Sequence, residues 1–523
     1  MTAGLHYIKV LLPLKLGWVP TYSSADPISQ GTRVNVVFAR RSYVGIVLGD
    51  DDSKDIDYTR IQGILGVEED LAPVSGEELS FWEFISRYYM CTLGEVYRAA
   101  YPSNSVRNEL TGSSNLKRLQ VRLEKTEADL LKKHSSKVQE RLTAKADELR
   151  NLIEESRGFR YERADKPVPQ RPVLIHGSER NGRYFDVIED TLSKGLQVLI
   201  LTPEIAFCNR IGREIAGKPW VLHVTNSTRT AVERRDASQA ARSGRPAVFL
   251  GTRSALFLPF RNLGTIIIDE EQDSSYKQTE PAPRYNGRDA AIALAGIHHA
   301  QVYLGSSYPS LESLLNCRSG KYGLMECPVN GEFSLIDLGA ERRKNGIRGS
   351  FSIKLILEIM AWDGPVVLIR GWEKKEELEN EARALLQGKE VSIMTLAEIK
   401  GGDCPQGALI AVMQADALVS KDDFRCDEKS IQTAYLLCGL ASRVIIQCGT
   451  ESRYANASNP LALLSERKEF GFPPYKRIVD IKRHGDNAIR ERVFLKRDNT
   501  LQEKKAELLV NLPKDCYADV DPA

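Results

Sequence analysis

The chain has 523 residues, of which 42% are hydrophobic and 27% are charged, and its formal net charge is +2 at pH 7. This composition is ordinary for a soluble globular protein, and no apolar run reaches the ~20 residues that a membrane-spanning helix needs. The nine cysteines include no C-x-x-C pair, which argues against a disulfide framework and against a zinc knuckle. We therefore expect a reduced, cytoplasmic protein of several domains, in which any surface for nucleic acid is local.

The first segment, residues 1–103, is predicted to form a small β-rich domain. Short apolar runs separated by turn residues predict strands at Tyr7–Leu14, Arg33–Phe38 and Tyr43–Leu48. A helix predicted over Glu77–Met90 places Leu79, Trp82, Ile85 and Tyr89 on one face, which we assign to the core. Arg40, Arg41 and Tyr43 lie at a predicted hairpin tip, where the residue types suit either a solvated basic turn or a contact with a nucleic-acid end.

Residues 104–167 differ from the first segment, because charge rises and leucines recur at intervals of seven. Leu116, Leu123 and Leu130 follow this spacing, as do Leu142 and Leu149, which predicts a helical hairpin or a short coiled coil. We interpret the segment as a charged helical connector. A cluster of prolines from Pro167 to Pro172 predicts a boundary at its end.

Two further segments, 168–332 and 333–450, alternate predicted strands with predicted helices. In the first, the strands are predicted at Val173–Ile175, Leu196–Leu201, Pro246–Leu250, Thr265–Ile268 and Gln301–Leu304. In the second, they are predicted at Pro365–Ile369, Val391–Ile393, Ala408–Met413 and Val444–Gln447. Such alternation predicts parallel sheets with helices on both faces, so the expected class is α/β with two tandem RecA-like lobes, the architecture of a helicase motor.

The last segment, residues 451–523, is predicted to be a short α+β domain with a basic surface. The charged residues that follow Tyr475 are mostly positive, which favours phosphate contact over an ordinary solvated face. The cations are Lys476, Arg477, Lys482, Arg483, Arg490, Arg492, Lys496 and Arg497.

The stretch Gly264–Arg288, G-T-I-I-I-D-E-E-Q-D-S-S-Y-K-Q-T-E-P-A-P-R-Y-N-G-R, carries the candidate catalytic residues. Its β-branched run predicts a buried strand that ends at Asp269 and Glu270, and ligands of open α/β sheets gather outside the carboxyl ends of strands. A P-loop ATPase needs one carboxylate to hold Mg²⁺ and a second to orient the attacking water. The alternative is a strand that runs into a solvated acidic turn.

Several motifs follow one another along most of the chain. They are Y-Y-M-C-T-L-G-E-V-Y-R-A-A-Y-P (Tyr88–Pro102), L-T-P-E-I-A (Leu201–Ala206), G-T-R-S-A-L-F-L-P-F (Gly251–Phe260), the Gly264–Arg288 stretch, Y-L-G-S-S-Y-P-S-L-E-S (Tyr303–Ser313), D-D-F-R-C-D-E (Asp422–Glu428), F-P-P-Y (Phe472–Tyr475) and D-V-D-P (Asp519–Pro522). In this order they resemble the PriA family, primosomal protein N′, bacterial helicases that reload the replication machinery at stalled forks.

The resemblance implies that residues 1–103 capture the 3′ end of a nascent strand. Pro20, Thr21 and Tyr22 would occupy the family's end-binding strand. At the first of these positions, proline replaces the aromatic residue that is usual in the family. Gly31, Arg40, Arg41 and Tyr43 would lie near them. A second group resembles the family's aromatic-rich loop, where rings stack on bases and cations bind phosphates; it comprises Tyr276, Lys277, Gln278, Arg284 and Tyr285.

The motor motifs depart from the family pattern. The phosphate loop G-x-x-x-x-G-K-T keeps Gly177 and Gly182, but Arg183 replaces lysine and Tyr184 replaces the threonine that ligates Mg²⁺. Gln272 stands where the family has histidine, and the arginine-rich motif of the second lobe keeps only Arg443. The zinc-binding cysteines that the family inserts after the first strand of the second lobe are missing, as is the winged-helix region.

These observations leave three hypotheses. The favoured one is a restart protein that binds forks, 3′ ends and single-stranded DNA without helicase activity, so that Asp269 and Glu270 are vestigial and no cofactor or zinc is needed. The alternative is an active 3′-to-5′ helicase that uses ATP and Mg²⁺ with an unusual phosphate loop. The third is a paralogue devoted to protein–protein interaction. The resemblance implies primosome proteins and single-strand binding protein as partners, no membrane, and a cytoplasmic, nucleoid-associated location.

Overall fold

The computed structural model describes residues 5–51, 61–68, 71–102, 112–132, 135–156, 162, 166, 168–328, 331–402, 404–419, 423–485 and 488–522. These residues form five β-sheets, among them two large parallel sheets that follow one another along the chain. The predicted α/β class with two tandem lobes is therefore confirmed. The boundaries of the five predicted segments stay predictions, and the predicted connector start at Asn104 and the boundary at Pro167 lie outside the described residues.

The N-terminal sheet is antiparallel with strand order β2-β1-β4-β3-β5. Its strands are β1 (His6–Leu11), β2 (Thr21–Ser24), β3 (Arg33–Phe38), β4 (Arg41–Asp50) and β5 (Gly66–Val67). The β3–β4 hairpin turns at Ala39 and Arg40, whose φ angles of 48° and 65° fit a tight turn that matches the strand twist. Arg40 is thus at the predicted tip, whereas Arg41 and Tyr43 already belong to β4.

Two capped helices complete the N-terminal domain. They are α1 (Gly76–Tyr88) and α2 (Leu93–Ala100), and each begins with a capping box, formed by Ser75 with Glu78 and by Thr92 with Glu95. A cap of this kind stabilises a helix by about 1 kcal/mol. The predicted apolar face of α1 is confirmed as core, since its side chains are buried.

Along the chain, the N-terminal domain is followed by a pair of helices, α3 (Gly112–Leu130) and α4 (Ser136–Ser156), which pack against each other. The pair also docks on the first lobe. Arg122 forms an ion pair with Asp236 at 2.7 Å, and the Gln239 amide donates to the Leu152 carbonyl at 3.2 Å. The segment is therefore part of the lobe's surface and not a free spacer.

The first lobe contains a seven-stranded parallel sheet with order β12-β6-β11-β10-β7-β9-β8. Its strands are β6 (Val173–His176), β7 (Gln197–Leu201), β8 (Leu222–Thr225), β9 (Val248–Gly251), β10 (Leu263–Ile268), β11 (Gln301–Ser306) and β12 (Gly323–Glu326). Its helices are α5 (Asn181–Ser193), α6 (Ile205–Ile215), α7 (Ala231–Ser243), α8 (Gly287–His298) and α9 (Leu311–Arg318). Ile266, Ile267 and Ile268 of central β10 are fully buried, and each contributes about 1.5–3 kcal/mol of transfer free energy.

The second lobe contains a five-stranded parallel sheet with order β13-β19-β18-β16-β17 and a small antiparallel pair, β14-β15. Its strands are β13 (Phe333–Asp337), β14 (Ile347–Arg348), β15 (Phe351–Ser352), β16 (Val366–Ile369), β17 (Val391–Met394), β18 (Leu409–Val412) and β19 (Arg443–Cys448). Its helices are α10 (Leu338–Lys344), α11 (Ile353–Met360), α12 (Lys375–Leu385), α13 (Leu396–Lys400) and α14 (Cys426–Cys438). The two lobes are joined by ion pairs of Lys400 with Asp273 and of Arg425 with Glu312.

The C-terminal domain contains helix α15 (Pro460–Phe470), strands β20 (Lys476–Arg483), β21 (Ile489–Lys496) and β22 (Cys516–Val520), and helix α16 (Leu501–Val510). The antiparallel sheet has order β21-β20-β22. Five of the eight cations in its predicted basic run already lie beside acids: Arg477 with Asp521, Lys482 with Asp519, Arg492 with Asp480, and both Arg483 and Arg490 near Asp515. Among the described helices, none is both long enough and apolar enough to cross a membrane.

Candidate functional site

The acidic stretch lies where the sequence predicted it, at the carboxyl edge of the first lobe's sheet. Strand β10 ends at Ile268, and the side chains of Asp269, Glu270 and Glu271 that follow are almost fully buried. Glu270 has a φ of 46°, a left-handed backbone that costs a non-glycine residue about 1–2 kcal/mol. The predicted alternative of a solvated acidic turn is therefore wrong.

Arg180, at the end of the glycine loop, fills the space in front of these acids. Its Nη2 lies 2.7 Å from the Asp269 carboxylate and also donates to Glu270, while its Nε donates to Asp269 at 2.9 Å. Its Nη1 donates to the Gly177 carbonyl at 3.0 Å and to the Ser307 hydroxyl at 3.2 Å. The Arg180 side chain is itself only 4% exposed, so this is an internal ion pair.

Tyr184, from the first turns of α5, completes the arrangement. Its hydroxyl donates to Asp269 at 2.9 Å and accepts from the Arg180 Nε at 3.0 Å. Glycine is required opposite it, because a Cβ on Gly305 would lie 1.5 Å from the Tyr184 hydroxyl oxygen. We call Arg180, Tyr184, Asp269, Glu270 and Ser307 the Arg180 cluster.

The pKa values of Glu270, Arg180 and Tyr184 are shifted by their neighbours in the cluster. Burial alone would raise the pKa of Glu270, but Arg180, with help from Gln272 and Arg210, lowers it to about 2. Burial alone would lower the pKa of Arg180, but Asp269 and Glu270 raise it well above its ordinary value. Burial and the neighbouring Asp269 raise the pKa of Tyr184, so its phenol stays neutral and can donate.

The backbone of the glycine loop is occupied as well. The Gly177 amide donates to the Ser306 carbonyl at 3.0 Å, and the amides of Ser178 and Glu179 donate to the Pro328 carbonyl at 3.0 and 3.3 Å. A phosphate loop binds polyphosphate through free amides of this kind. Here they are satisfied by carbonyl groups of the same chain.

A Mg²⁺–nucleotide complex does not fit these residues. The carboxylates that would hold the metal are bound by Arg180, and three loop amides that would bind phosphate are bound by carbonyls. Among the described residues, no group of three or more His, Cys, Asp and Glu side chains could hold a metal ion.

The predicted nucleotide-binding residues need correction in this light. The side chain of Arg183 is 58% exposed and lies 3.8 Å from Asp186, one turn along α5, so it is not the loop cation. Gly182 lies in the first turn of α5, where a Cβ would meet nothing within 4 Å. Arg443 begins β19 at the amino end of the second sheet and pairs with Glu358 at 2.7 Å. Only Gly177 and Tyr184 of the predicted set contact the acids or their Arg180 partner.

The rings of the predicted aromatic loop are buried. The Tyr276 hydroxyl donates to the carbonyls of Leu201 and Asp269 at 2.9 and 2.6 Å, and its side chain is inaccessible to solvent. Tyr285 is 2% exposed and packs against Phe257 and against Tyr89 of the N-terminal domain. Neither ring presents a face to a base, so the prediction of base stacking does not hold in this conformation.

The polar residues of the same loop bind other parts of the chain. The Lys277 ammonium contacts the Asp519 carboxylate at 2.7 Å and the Val520 carbonyl at 2.6 Å. Gln278 donates to the Pro281 carbonyl, and the Arg284 guanidinium lies 3.5 Å from the centre of the Tyr517 ring. The loop predicted to bind DNA is thus a joint between the first lobe and the C-terminal domain.

The predicted DNA-binding residues of the N-terminal domain divide into buried and exposed ones. Tyr22 is buried and its hydroxyl donates to the Val37 carbonyl at 2.9 Å. Gly31 is also buried, and a Cβ there would lie 2.1 Å from the Val74 carbonyl oxygen. Arg40 and Arg41 are exposed, and Tyr43 is half-buried beside them on β4.

The N-terminal domain also contains candidate binding residues that were not predicted from the sequence, and some of them contact Thr21. Its hydroxyl donates to the carboxylate of Asp51, which also lies 3.5 Å from the Lys9 ammonium. Near the hairpin tip, Trp18 is 59% exposed and its ring lies 6.2 Å from that of Phe38. Trp18 could have been noticed in the sequence as a residue type that stacks on bases, although only the structure shows that it is exposed. The Lys9–Asp51 pair could not, because it depends on strand pairing.

Comparison with known families supports an N-terminal DNA-binding domain. Residues 9–102 match the family described as 3′DNA-binding domain (3′BD) of PriA. The match spans the antiparallel sheet together with α1 and α2, and so includes the exposed hairpin tip.

Curated relatives extend the similarity into the helicase-like lobes. Replication restart protein PriA of Rickettsia conorii is 29% identical over 366 residues, covering 67% of this chain and 50% of the relative. The protein of the same name from Haemophilus influenzae is 30% identical over 374 residues, covering 60% of this chain and 51% of the relative. The chain thus spans about half the length of these relatives.

Among solved structures, RecG bound to a three-way DNA junction aligns with 76% of this chain and 56% of its own, with a TM-score of 0.36 and 15% identity. The Escherichia coli DExH-box NTPase HrpB aligns with 65% of this chain and 46% of its own, with a TM-score of 0.36 and 11% identity. The matched 3′ DNA-binding domain and the identity with curated relatives agree with the motif order along the sequence. Residues 9–102 are thus similar to the 3′ DNA-binding domain of PriA, and the chain as a whole is similar to about half the length of curated replication restart proteins PriA.

Proposed function

We propose that this chain is a replication restart protein that binds forked or 3′-ended DNA and works without ATP-driven unwinding. The observation that carries the proposal is the Arg180 guanidinium, bound to both acids at the edge of β10. In a motor, that edge holds Mg²⁺ and the attacking water. Here a side chain of the chain itself takes both carboxylates.

Exchange of Arg180 for a metal–nucleotide complex is energetically unfavourable. Breaking a buried ion pair by removing one partner costs about 3–5 kcal/mol. The incoming ligand would also have to release three loop amides from their carbonyl partners. Buried Tyr184, which hydrogen-bonds to Asp269, supplies no small hydroxyl for a metal.

DNA binding is proposed for the exposed end of the N-terminal sheet. The matched 3′ DNA-binding domain supports this assignment, and so do the chemical types of the exposed residues. Arg40 and Arg41 can neutralise phosphates, and Trp18 offers a ring face on which a base can stack. Primosome proteins and single-strand binding protein are proposed as partners because the chain is similar to PriA proteins, and a nucleoid-associated location is proposed on the same ground.

The first test is ATP hydrolysis by the complete chain with and without a DNA fork, beside an active helicase as positive control. We expect no turnover above background in either condition. DNA-stimulated hydrolysis by the unmodified chain would favour the alternative, an active 3′-to-5′ helicase that uses ATP and Mg²⁺ with an unusual loop.

The second test compares forks that carry a 3′-hydroxyl with forks that carry a 3′-phosphate. We expect weaker binding to the blocked end, because a dianion would face the buried Asp51 carboxylate beside Thr21. A fork with a phosphate on its 5′ end is the control. Equal affinity for both 3′ ends would contradict the assignment of the N-terminal domain, and loss of all DNA binding would favour a protein-interaction role.

A further inference from the structure

Two acids of the kind that a P-loop motor uses lie at a position where ionised carboxylates are costly. Asp269 and Glu270 have almost no solvent exposure, and unpaired carboxylates there would be strongly destabilising. Around them lie two cations, Arg180 in direct contact and the Arg210 guanidinium 3.6 Å from Asp269. The site is thus electrically balanced by side chains of the chain itself.

The guanidinium fits this site more completely than another cation would. It has five N–H donors, and the cluster supplies acceptors to Nε, Nη1 and Nη2 alike: two carboxylates, two hydroxyls and the Gly177 carbonyl. A lysine offers three donors on a single atom and could not reach all of these acceptors. Such complete satisfaction indicates a position adapted to arginine.

We propose that Arg180 is a built-in counter-cation that has replaced the metal–nucleotide complex in the first lobe, so that the lobe is held in one conformation whether or not nucleotide is present. This inference rests on the proposed function without a motor and adds a role for the retained acids. They are kept because they bind Arg180, and not because they bind a metal.

The Arg180 cluster also reaches the joint between domains. The Asp269 carboxylate binds Arg180, while the Asp269 carbonyl accepts from the Tyr276 hydroxyl at 2.6 Å. Tyr276 begins the loop whose Lys277 binds Asp519 of the C-terminal domain and whose Tyr285 packs on Tyr89 of the N-terminal domain. We therefore expect loss of Arg180 to destabilise residues 269–288 more than the strands of the lobe that lie far from the Arg180 cluster.

The test is thermal unfolding of the complete chain with and without MgCl₂ and Mg²⁺–ATP, for the unmodified protein and for Arg180→Met. The unmodified protein should show no shift in melting temperature with either addition. Arg180→Met should melt several degrees lower, and MgCl₂ alone should recover part of the loss, because the two uncovered carboxylates then bind the cation. Arg183→Met removes an exposed arginine of the same loop and should melt like the unmodified protein.

A compensating variant keeps the test decisive if Arg180→Met does not fold. Arg180→Met combined with Asp269→Asn and Glu270→Gln removes all three charges together and should be more stable than Arg180→Met alone. Failure of the neutral triple variant to recover stability would overturn the proposal. Stabilisation of the unmodified protein by Mg²⁺–ATP would overturn it as well, as would an Arg180→Met variant that melts at the unmodified temperature.

Hydrogen exchange gives a second readout, in which residues 269–288 of Arg180→Met should exchange faster than those of Arg183→Met. Equal exchange would contradict the proposed link to the domain joint. The 3′-hydroxyl preference of the unmodified chain is measured in parallel. A failure there affects the proposed function alone, whereas a failure of the melting experiment leaves the DNA-end assignment intact.

Discussion

The carboxyl edge of the first lobe and the tip of the N-terminal sheet differ in where their polar groups are directed. At the edge of the lobe, Arg180, Asp269 and Glu270 are buried and form ion pairs with one another. At the tip of the sheet, Arg40 and Arg41 are exposed to solvent. The comparison teaches that residue types suited to a ligand are available to it only where their groups are not already paired inside the protein.

The largest effect is expected at the buried edge. Asp269→Ala leaves two buried cations, Arg180 and Arg210, facing the single carboxylate of Glu270, so the free energy of unfolding should fall by about 3–5 kcal/mol. Denaturant unfolding measures this loss. Asp186→Ala removes the partner of exposed Arg183 and should change stability by less than about 1 kcal/mol; similar losses in both variants would contradict the contrast between the two positions.

The decrease in the free energy of unfolding at acid pH should depend on the same cluster. The folded-state pKa of Glu270 is lowered to about 2 from an ordinary value of 4.5, so its contribution is present above pH 4.5 and is lost as pH falls toward 2. The shift corresponds to roughly 3 kcal/mol for a fully buried group. Asp289 and Glu312 should contribute in the same way as Glu270. Burial alone would raise their pKa values, but neighbouring arginines lower them, so their contributions to stability are also lost as pH falls.

Comparison with Glu270→Gln isolates this contribution by unfolding measurements between pH 2 and pH 7. The variant should lose less stability than the unmodified chain as pH falls. Parallel acid limbs for the two proteins would show that Glu270 is not held ionised by the Arg180 cluster.

Replacement by alanine should change the stability of the protein differently at two glycines near the site. Gly305→Ala places a methyl group 1.5 Å from the Tyr184 hydroxyl oxygen, and overpacking of this kind costs about 1–3 kcal/mol. Gly182→Ala meets open space in the first turn of α5 and should be neutral or stabilising by up to about 1 kcal/mol. Thermal unfolding distinguishes them. Destabilisation by Gly182→Ala would indicate that the loop still needs its second glycine.

The smallest effects are expected at the exposed tip. Arg40→Ala and Arg41→Ala should leave stability within about 0.5 kcal/mol of the unmodified chain and should weaken fork binding. Each DNA phosphate that the variant no longer neutralises should reduce the slope of log affinity against log salt by about 0.7–0.9. Arg443→Ala, an exposed arginine at the amino end of the second sheet, is the control. An unchanged salt slope in the tip variants would remove them from the DNA interface.

Much of the fold followed from local pattern, whereas the partners of the site residues did not. The β-branched run before Asp269 and the apolar face of α1 are visible in the sequence, and both are confirmed. The motif spacing predicted Arg183 as the loop cation, whereas the path of the loop against Pro328 turns Arg180 inward instead. Tyr276 and Tyr285 have residue types that suit base stacking, but packing against distant segments buries them.

Isothermal titration of Mg²⁺–ATP into the unmodified chain, saturated with a 3′-ended fork, tests the central claim most directly. Because Arg180 already occupies both acids and the loop amides are paired, we expect no saturable heat of binding and no change in fork affinity. Stoichiometric binding of Mg²⁺–ATP to the unmodified chain would contradict this account.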